Sequence, residues 1–304
     1  MADQFCRYYL DIIIEPIARE SHRTTLFSLC VLHFVFSPVA TFGNTLAIQA
    51  LRKTSLLPAN MRKLFLSLAL SDLAVGLFSH IMLAVVFTKA LNYNLDVLCP
   101  VTLAISNVII YFLGSASLLN VTAIAADRLL AVSLHLRYQE LVTAKRVTVA
   151  LVAIWLTASS TSVCSFFTTL SLKVPLVLSS VGFLLTTVAY FRVYEVARYH
   201  RNRIHNQFQQ QNSQTVVLLR ERKSALSVLF FYAVFVACYL PNFCCVILLT
   251  AGNWSGSVLA AFHVTIFVMF LNSSINPLIY CWRYREVRGI MKSTLKRICR
   301  VPGG

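Results

Sequence analysis

Residues 103–129 read LAISNVIIYFLGSASLLNVTAIAADRL, and the placement of this stretch decides the fold. From Leu103 to Ala126 no side chain carries a formal charge, so the segment is long enough to cross a hydrocarbon core of about 30 Å as a helix. It then ends in an acid and a base side by side, Asp127 and Arg128. An Arg at that depth is either a snorkelling anchor or one half of a working ion pair. The segment alone favours the anchor, and Glu221, Asp72 and the run at 276–280 turn the reading toward the working pair.

The composition makes the same membrane argument for the whole chain. With 304 residues, 58% hydrophobic, 12% charged and a mean hydropathy of +0.71, it is too apolar for a soluble domain of its length. A net charge of +16 would suit nucleic acid, but the bases are segregated. Once the spans are drawn, Arg7, Arg19, Arg23, Lys89 and Lys173 fall on one side and the other 22 Lys and Arg on the opposite side. That asymmetry is the positive-inside signature, so the base-rich side is expected in the cytoplasm and the N-terminus outside. The opening MADQFCRYYLDIIIEPIARE mixes acids among its residues and has no basic leader before an apolar core, so a cleaved signal peptide is not expected. Nine cysteines include no CxxC pair and no zinc spacing, and no metal centre beyond a monovalent cation is expected. Cys30, Cys164, Cys238, Cys244 and Cys281 lie in apolar runs and read as small packing residues.

Taken in order, apolar runs cover about 24–51, 64–88, 103–129, 147–171, 175–196, 225–250 and 257–282. Seven spans agree in parity with an outside start and an inside end. The longest polar segment, 198–223, carries HRNRIHNQFQQQNSQ and reads as a cytoplasmic loop between helical continuations at 190–203 and 215–223. Past residue 283, bases alternate with Val287, Ile290, Met291, Leu295 and Ile298 at helical spacing, which predicts an amphipathic helix on an anionic inner leaflet. The expected class is therefore an all-α membrane protein, a seven-transmembrane helix bundle with a C-terminal amphipathic helix. Its parts are an extracellular N-terminus at 1–23, the bundle at 24–282, and a cytoplasmic helix and tail at 283–304.

Asp72 sits mid-span in SLALSDLAVG, where a carboxylate costs several kcal/mol unless it is protonated or partnered. Its candidate partners are Asn44, Ser117, Asn272, Ser273 and Asn276, the last three sharing one helical face. One carboxylate among neutral oxygens suits a monovalent cation, most simply Na⁺; the alternative is a neutral, hydrogen-bonded structural Asp. Pro241 and Pro277 each remove a backbone hydrogen bond beside polar or aromatic residues and read as pivots, or else as ordinary membrane-helix prolines. Glu221 is one of few acids on the base-rich side and is placed to close an ion pair with Arg128, the alternative being a solvated charge.

Together these residues resemble the rhodopsin-like (class A) G-protein-coupled receptors, with one motif in almost every span. The motifs are Gly43-Asn44, LALSD ending at Asp72, DRL at 127–129, Trp155, Tyr190, CYLP at 238–241 and NPLIY at 276–280. The resemblance implies a sodium pocket of Asp72, Ser117, Asn272 and Asn276. It implies a coupling switch of Asp127, Arg128, Tyr190, Glu221, Asn276, Pro277 and Tyr280. It further implies a heterotrimeric G protein as partner, reached when the sixth helix swings outward about its proline. The sequence departs from the pattern in Leu129 for the Tyr of DRY, Tyr239 for the Trp before Leu-Pro, and Gly182 for the fifth-span proline. The family's outer disulfide lacks its cysteines; Cys6 and Cys99 are the remaining extracellular pair and a possible bond.

The near-missing second outer loop and the YFRVYEVAR run are similar to the melanocortin and adenosine branch. The resemblance does not carry the ligand over: Met82, Leu103 and Asn107 stand where melanocortin receptors keep acids, Val246 where adenosine receptors keep an Asn, and Ile110 where amine receptors keep an Asp, which disfavours a biogenic amine. The pocket implied by the resemblance is Ile110, Tyr111, Gly114, Tyr239, Asn242, Phe243, Val246, His263, Ile266 and Phe270. An apolar cavity with Asn242 and His263 as polar anchors fits a small neutral or lipid-like ligand, with a peptide as the other option. A transporter or channel using Asp72 in an ion path is the alternative class, but it would be expected to show internal repeats, and none is visible. No paired acids, GxSxG or HExxH point to an enzyme. The expected setting is the plasma membrane, with membrane lipids as neighbours and no nucleic acid. Cys299 is a candidate for palmitoylation and Asn253 for N-glycosylation, while the sequons at Asn120 and Asn272 lie within spans and should be unmodified.

Overall fold

The computed structural model describes residues 22–92, 101–134, 137–164, 172–207 and 214–299, without the side chains at 101, 103, 104, 197, 200–207, 214–229 and 231. Its eight principal helices are, in order, α1 Arg23–Lys53, α2 Ala59–Leu91, α3 Val101–Leu134, α4 Ala144–Cys164, α5 Lys173–Gln207, α6 Gln214–Thr250, α7 Gly256–Arg283 and α8 Arg285–Cys299. A single helical turn, Tyr138–Leu141, sits between α3 and α4. Each of the first seven contains a stretch long and apolar enough to cross a membrane. In lipid only a helix satisfies its own backbone, which is why apolar runs of this length take no other form.

The helices close into a ring in which α1 packs on α2 and α7, α5 on α6, and α6 on α7. Helix α3 runs against α2, α4 and α5, so the sequence stretch that suggested the fold has its neighbours on three sides. Trp155 of α4 ties this seam by donating its indole N–H to Ser67 Oγ of α2 at 3.1 Å, with its ring 5.6 Å from that of Phe112. One apolar cluster fills the base-poor end, from Leu26 and Leu29 through Phe87 and Leu113 to Leu259 and Phe270. A second fills the base-rich end, where Leu46, Leu51, Phe65 and Tyr280 meet Val287 and Met291 of α8.

Several features go beyond the sequence reading. The segment 198–223 is more helical than expected: α5 continues to Gln207 and α6 begins at Gln214. Its Arg, Gln, Lys and Leu residues are good helix formers even where they are polar. Helix α1 contains Pro38, and α2 changes to a π-helical turn at Val75–Ser79. There α1 and α2 approach so closely that a Cβ on Gly76 would lie 2.6 Å from Thr41 Oγ1 and 2.7 Å from Thr41 N. Ser37 donates to the Gly76 carbonyl at 2.8 Å across the same contact. The turn into α7 holds Gly252 at φ 88°, a conformation open to glycine, and Ser255 caps the helix by accepting from the Val258 N–H.

Helix α8 buries Val287 and Met291 and turns its bases outward, as its alternation predicts. Glu286 fixes its start. The carboxylate accepts from the Thr54 hydroxyl and from the backbone N–H groups of Ser55 and Leu56 in the α1–α2 loop, the last two at 3.3 and 3.1 Å. These donors, the Thr54 hydroxyl foremost, hold the Glu286 carboxyl below the usual carboxylate range.

Candidate functional site

Asp72 has no solvent exposure and accepts three side-chain hydrogen bonds. Ser273 Oγ donates to Oδ1 at 2.8 Å, Asn276 Nδ2 to Oδ2 at 2.7 Å, and Ser117 Oγ reaches Oδ1 at 3.4 Å. The 273 and 276 side chains converge because they are three apart on α7. Asn44 braces that helix from α1 by donating to the Ser273 carbonyl at 2.8 Å. Asn272, expected among the ligands, makes no bond to Asp72; it is buried and its Nδ2 has no partner. Ser273 takes the place at Asp72 that the sodium-pocket set gave to Asn272.

Tyr239 enlarges this cluster. Its hydroxyl lies 3.0 Å from Ser117 Oγ, so Asp72, Ser117 and Tyr239 form one chain of polar contacts from α2 through α3 to α6. A Trp in this place would present an indole N–H, which only donates, whereas the phenol both donates and accepts. The donor set fits a monovalent cation: one carboxylate stands among the hydroxyl oxygens of Ser117, Ser273 and Tyr239.

Nearer the base-poor end, the pocket residues form an apolar wall. Val246, Ile266 and Phe270 are buried with Ile110 packed on them, and Phe243 lies 5.3 Å from Phe183. Gly114 leaves room for Met269, whose Cε would lie 3.2 Å from a Cβ there. The two polar anchors are engaged within the protein. Asn242 Nδ2 donates to Thr265 Oγ1 at 3.3 Å, and His263 Nδ1 faces the Leu259 carbonyl at 2.8 Å. Tyr111, half-buried, lies on the α3 side of the same region.

At the base-rich end Arg128 is paired with its neighbour. Its Nη2 lies 2.6 Å from Asp127 Oδ2, and Tyr138 donates to Asp127 Oδ1 at 2.5 Å. Tyr138 was not singled out by the sequence; the signal was its place in the loop after Arg128. Burial, and next its bond to Asp127, push the Tyr138 hydroxyl up to about 12, so it remains a donor at any physiological pH. The Arg128–Glu221 pair expected from the sequence lies outside the described residues, because the Glu221 side chain is not among them. Tyr190 is buried beside Leu129 with its ring 5.7 Å from Tyr232. Tyr280 is elsewhere: it is buried against Phe65, ring centroids 5.2 Å apart, and its hydroxyl has no partner. Pro277 packs on α1, where its Cγ would lie 3.2 Å from a Cβ on Gly43.

Of the candidate modification sites, Cys299 and Asn253 are exposed, while Asn120 and Asn272 are buried. Cys299 is a free thiol, and Cys6 and Cys99 lie outside the described residues.

The described residues thus form a bundle of seven membrane-length helices with a buried carboxylate at its centre and an ion-paired arginine at its base-rich mouth. Residues 43–280 match the family described as 7 transmembrane receptor (rhodopsin family), and the chain belongs to that family. It is similar to mouse (Mus musculus) melanocortin receptor 5, with 27% identity over 88% of this chain and 85% of the relative. It is also similar to the human (Homo sapiens) adenosine receptor A2b, with 24% identity over 88% and 89%. The guinea pig (Cavia porcellus) histamine H2 receptor matches at 24% identity over 86% and 77%. The protein is a class A receptor that binds an extracellular ligand and signals through G proteins, not an enzyme. The transporter alternative is not favoured.

Proposed function

We propose that this receptor lies in the plasma membrane with its N-terminus outside, takes a small neutral or lipid-like ligand in the apolar region around Ile110, Phe243, Val246 and Ile266, and is modulated by Na⁺ at Asp72. The single observation that carries the reading is the polar chain Asp72–Ser117–Tyr239. Tyr239, expected in the ligand pocket, meets the Ser117 hydroxyl that reaches the buried acid, so a ligand that displaces its ring alters the bonds around Asp72. A cation at Asp72 favours the packing in which Ser117, Ser273 and Asn276 converge. Agonist binding favours a second packing in which α6 pivots about Pro241 and Arg128 leaves Asp127 for the G protein. The absence of any acid among the pocket residues argues against a charged amine as agonist, although one of the similar receptors is named for histamine.

Guanine-nucleotide exchange by reconstituted receptor and G proteins tests this, with a panel of neutral small molecules and lipids and a Na⁺ titration. A stimulating ligand whose effect is opposed by Na⁺ in the parent, and not in Asp72→Asn, is the expected result. Exchange that ignores both the panel and Na⁺ would overturn the assignment.

A further inference from the structure

Away from the carboxylate and the arginine, the base-poor half of the bundle holds a second buried polar centre. His33 of α1 and His80 of α2 have no solvent exposure, and their Nδ1 atoms lie 2.8 Å apart. At that distance one ring must donate Nδ1–H and the other must accept with a bare Nδ1. The donor ring is then left with a bare Nε2 and the acceptor ring with an Nε2–H. Both Nε2 atoms are buried without a hydrogen-bond partner, as is Ser79 Oγ in the preceding residue of α2.

The surroundings are aromatic. Phe87 and Phe267 lie 5.7 and 5.2 Å from His33, and Phe270 lies 6.1 Å from His80. Two further titratable side chains face this seam: His263 of α7, whose ring is 5.6 Å from Phe87, and Cys30 of α1, bonded to Thr88 of α2. Asp72 is two turns away along α2 and is fully engaged by its own donors. No acid of the described residues is hydrogen-bonded or ion-paired to either ring.

The backbone directly beneath the pair departs from regular α-helix. The π-helical turn Val75–Ser79 closes on His80, whose N–H bonds the Val75 carbonyl five residues back. A π-turn adds a residue to the turn and rotates the helix beyond it, and such turns recur at functional sites. Here the rotated residue is the histidine that meets α1.

We propose that the His33–His80 pair is a proton-binding site through which acidification shifts the bundle away from the packing described here. A proton delivered by hydronium adds to the bare Nε2 lone pair, releasing water and leaving an imidazolium that still donates through Nδ1 to its neighbour. In this packing the new Nε2–H has no acceptor and the charge has no counter-ion among the phenylalanine rings. Proton uptake therefore requires water or an acceptor to reach the seam, which means loosening α1 from α2 and α7. His33 lies ten residues into α1, about 15 Å from its start, so access from the base-poor face needs only the outer turns to open.

The test uses the full-length receptor, purified in detergent, and does not depend on ligand or G protein. Its thermal midpoint is expected to fall by about 3 °C or more between pH about 7.5 and about 5.5, where an imidazole titrates. His33→Asn and His80→Asn should each flatten that dependence, while His22→Asn, at the N-cap of α1, should leave it intact. An acid-insensitive midpoint in the parent, or an unchanged slope in both Asn variants, overturns the proposal. Should the variants not fold, nitrogen NMR of histidine-labelled parent receptor decides: ring shifts of the two histidines that move together as the pH is taken below the ordinary imidazole range support a shared site, and rings that stay static until the receptor unfolds refute it.

Discussion

At the scale of single residues, Tyr239 separates this chain from a generic member of its family. The substitution is visible in the sequence, but its consequence is not, because no spacing rule places a residue of α6 against one of α3. The geometry supplies the consequence: a phenol 3.0 Å from Ser117 Oγ and stacked on Phe235 at 5.1 Å, in a site with 4% exposure. Tyr239→Phe keeps the ring and removes only the hydroxyl, so its cost is one buried hydrogen bond, about 1 kcal/mol. The expected outcome is a small drop in the thermal midpoint, together with a shifted Na⁺ dependence of that midpoint. An unshifted Na⁺ dependence would detach Tyr239 from the carboxylate. Asp72 was legible as a buried acid from its place in an apolar run, and so were Ser117 and Asn276. Ser273 was legible too, as a candidate partner on the same face of α7; that it, and not Asn272, bonds the carboxylate was not, since only the helix rotation selects between them.

Among the elements, α2 and α8 are held by contacts that hydropathy does not report. The π-turn of α2 leaves the apolar pattern of 64–88 unbroken, so the sequence showed one span where the structure has two regular helices and a joint. Gly76→Ala places a methyl group 2.6 Å from Thr41 Oγ1 and 2.7 Å from its backbone nitrogen, and backbone cannot step aside. A loss of about 1–3 kcal/mol is expected. Gly289→Ala in α8, where a Cβ meets nothing within 4 Å, should instead gain up to about 1 kcal/mol in helix propensity. Thermal midpoints of the two variants should therefore move in opposite directions. Glu286 gives α8 a pH dependence whose sign is set by its lowered carboxyl: the bond to the α1–α2 loop is present above the ordinary Glu value and is lost as pH falls through the lowered one. Hydrogen exchange at Ser55 and Leu56, whose N–H groups it accepts, should be slow near neutrality, and Glu286→Ala should speed it there, with the difference vanishing in acid where the bond is already lost.

For the molecule as a whole, seven helices were legible because lipid forces the backbone to satisfy itself within each span, and the sense of insertion was expected from where the bases lie. The contacts that hold the bundle in one of its packings were legible only in part: the sequence set Asp127 beside Arg128, and the structure pairs the two and adds Tyr138 as a donor to Asp127, while the expected partner Glu221 lies outside the described side chains. That pair is local: α3 holds its own arginine, and the loop turn after it fixes the acid. Arg128 is 36% exposed, so the pair is worth little more than a surface ion pair, about 1 kcal/mol. A difference of that size is a factor of about five in the populations of two packings. Asp127→Asn removes the charge while keeping an oxygen for Tyr138, so basal guanine-nucleotide exchange should rise about fivefold with folding preserved. Tyr138→Phe, which removes one bond to Asp127 and leaves its charge, should raise basal exchange by a smaller factor. Equal rises in the two variants would mean that the loop turn, not the ion pair, restrains the arginine. No rise in either would place the restraint elsewhere along α6.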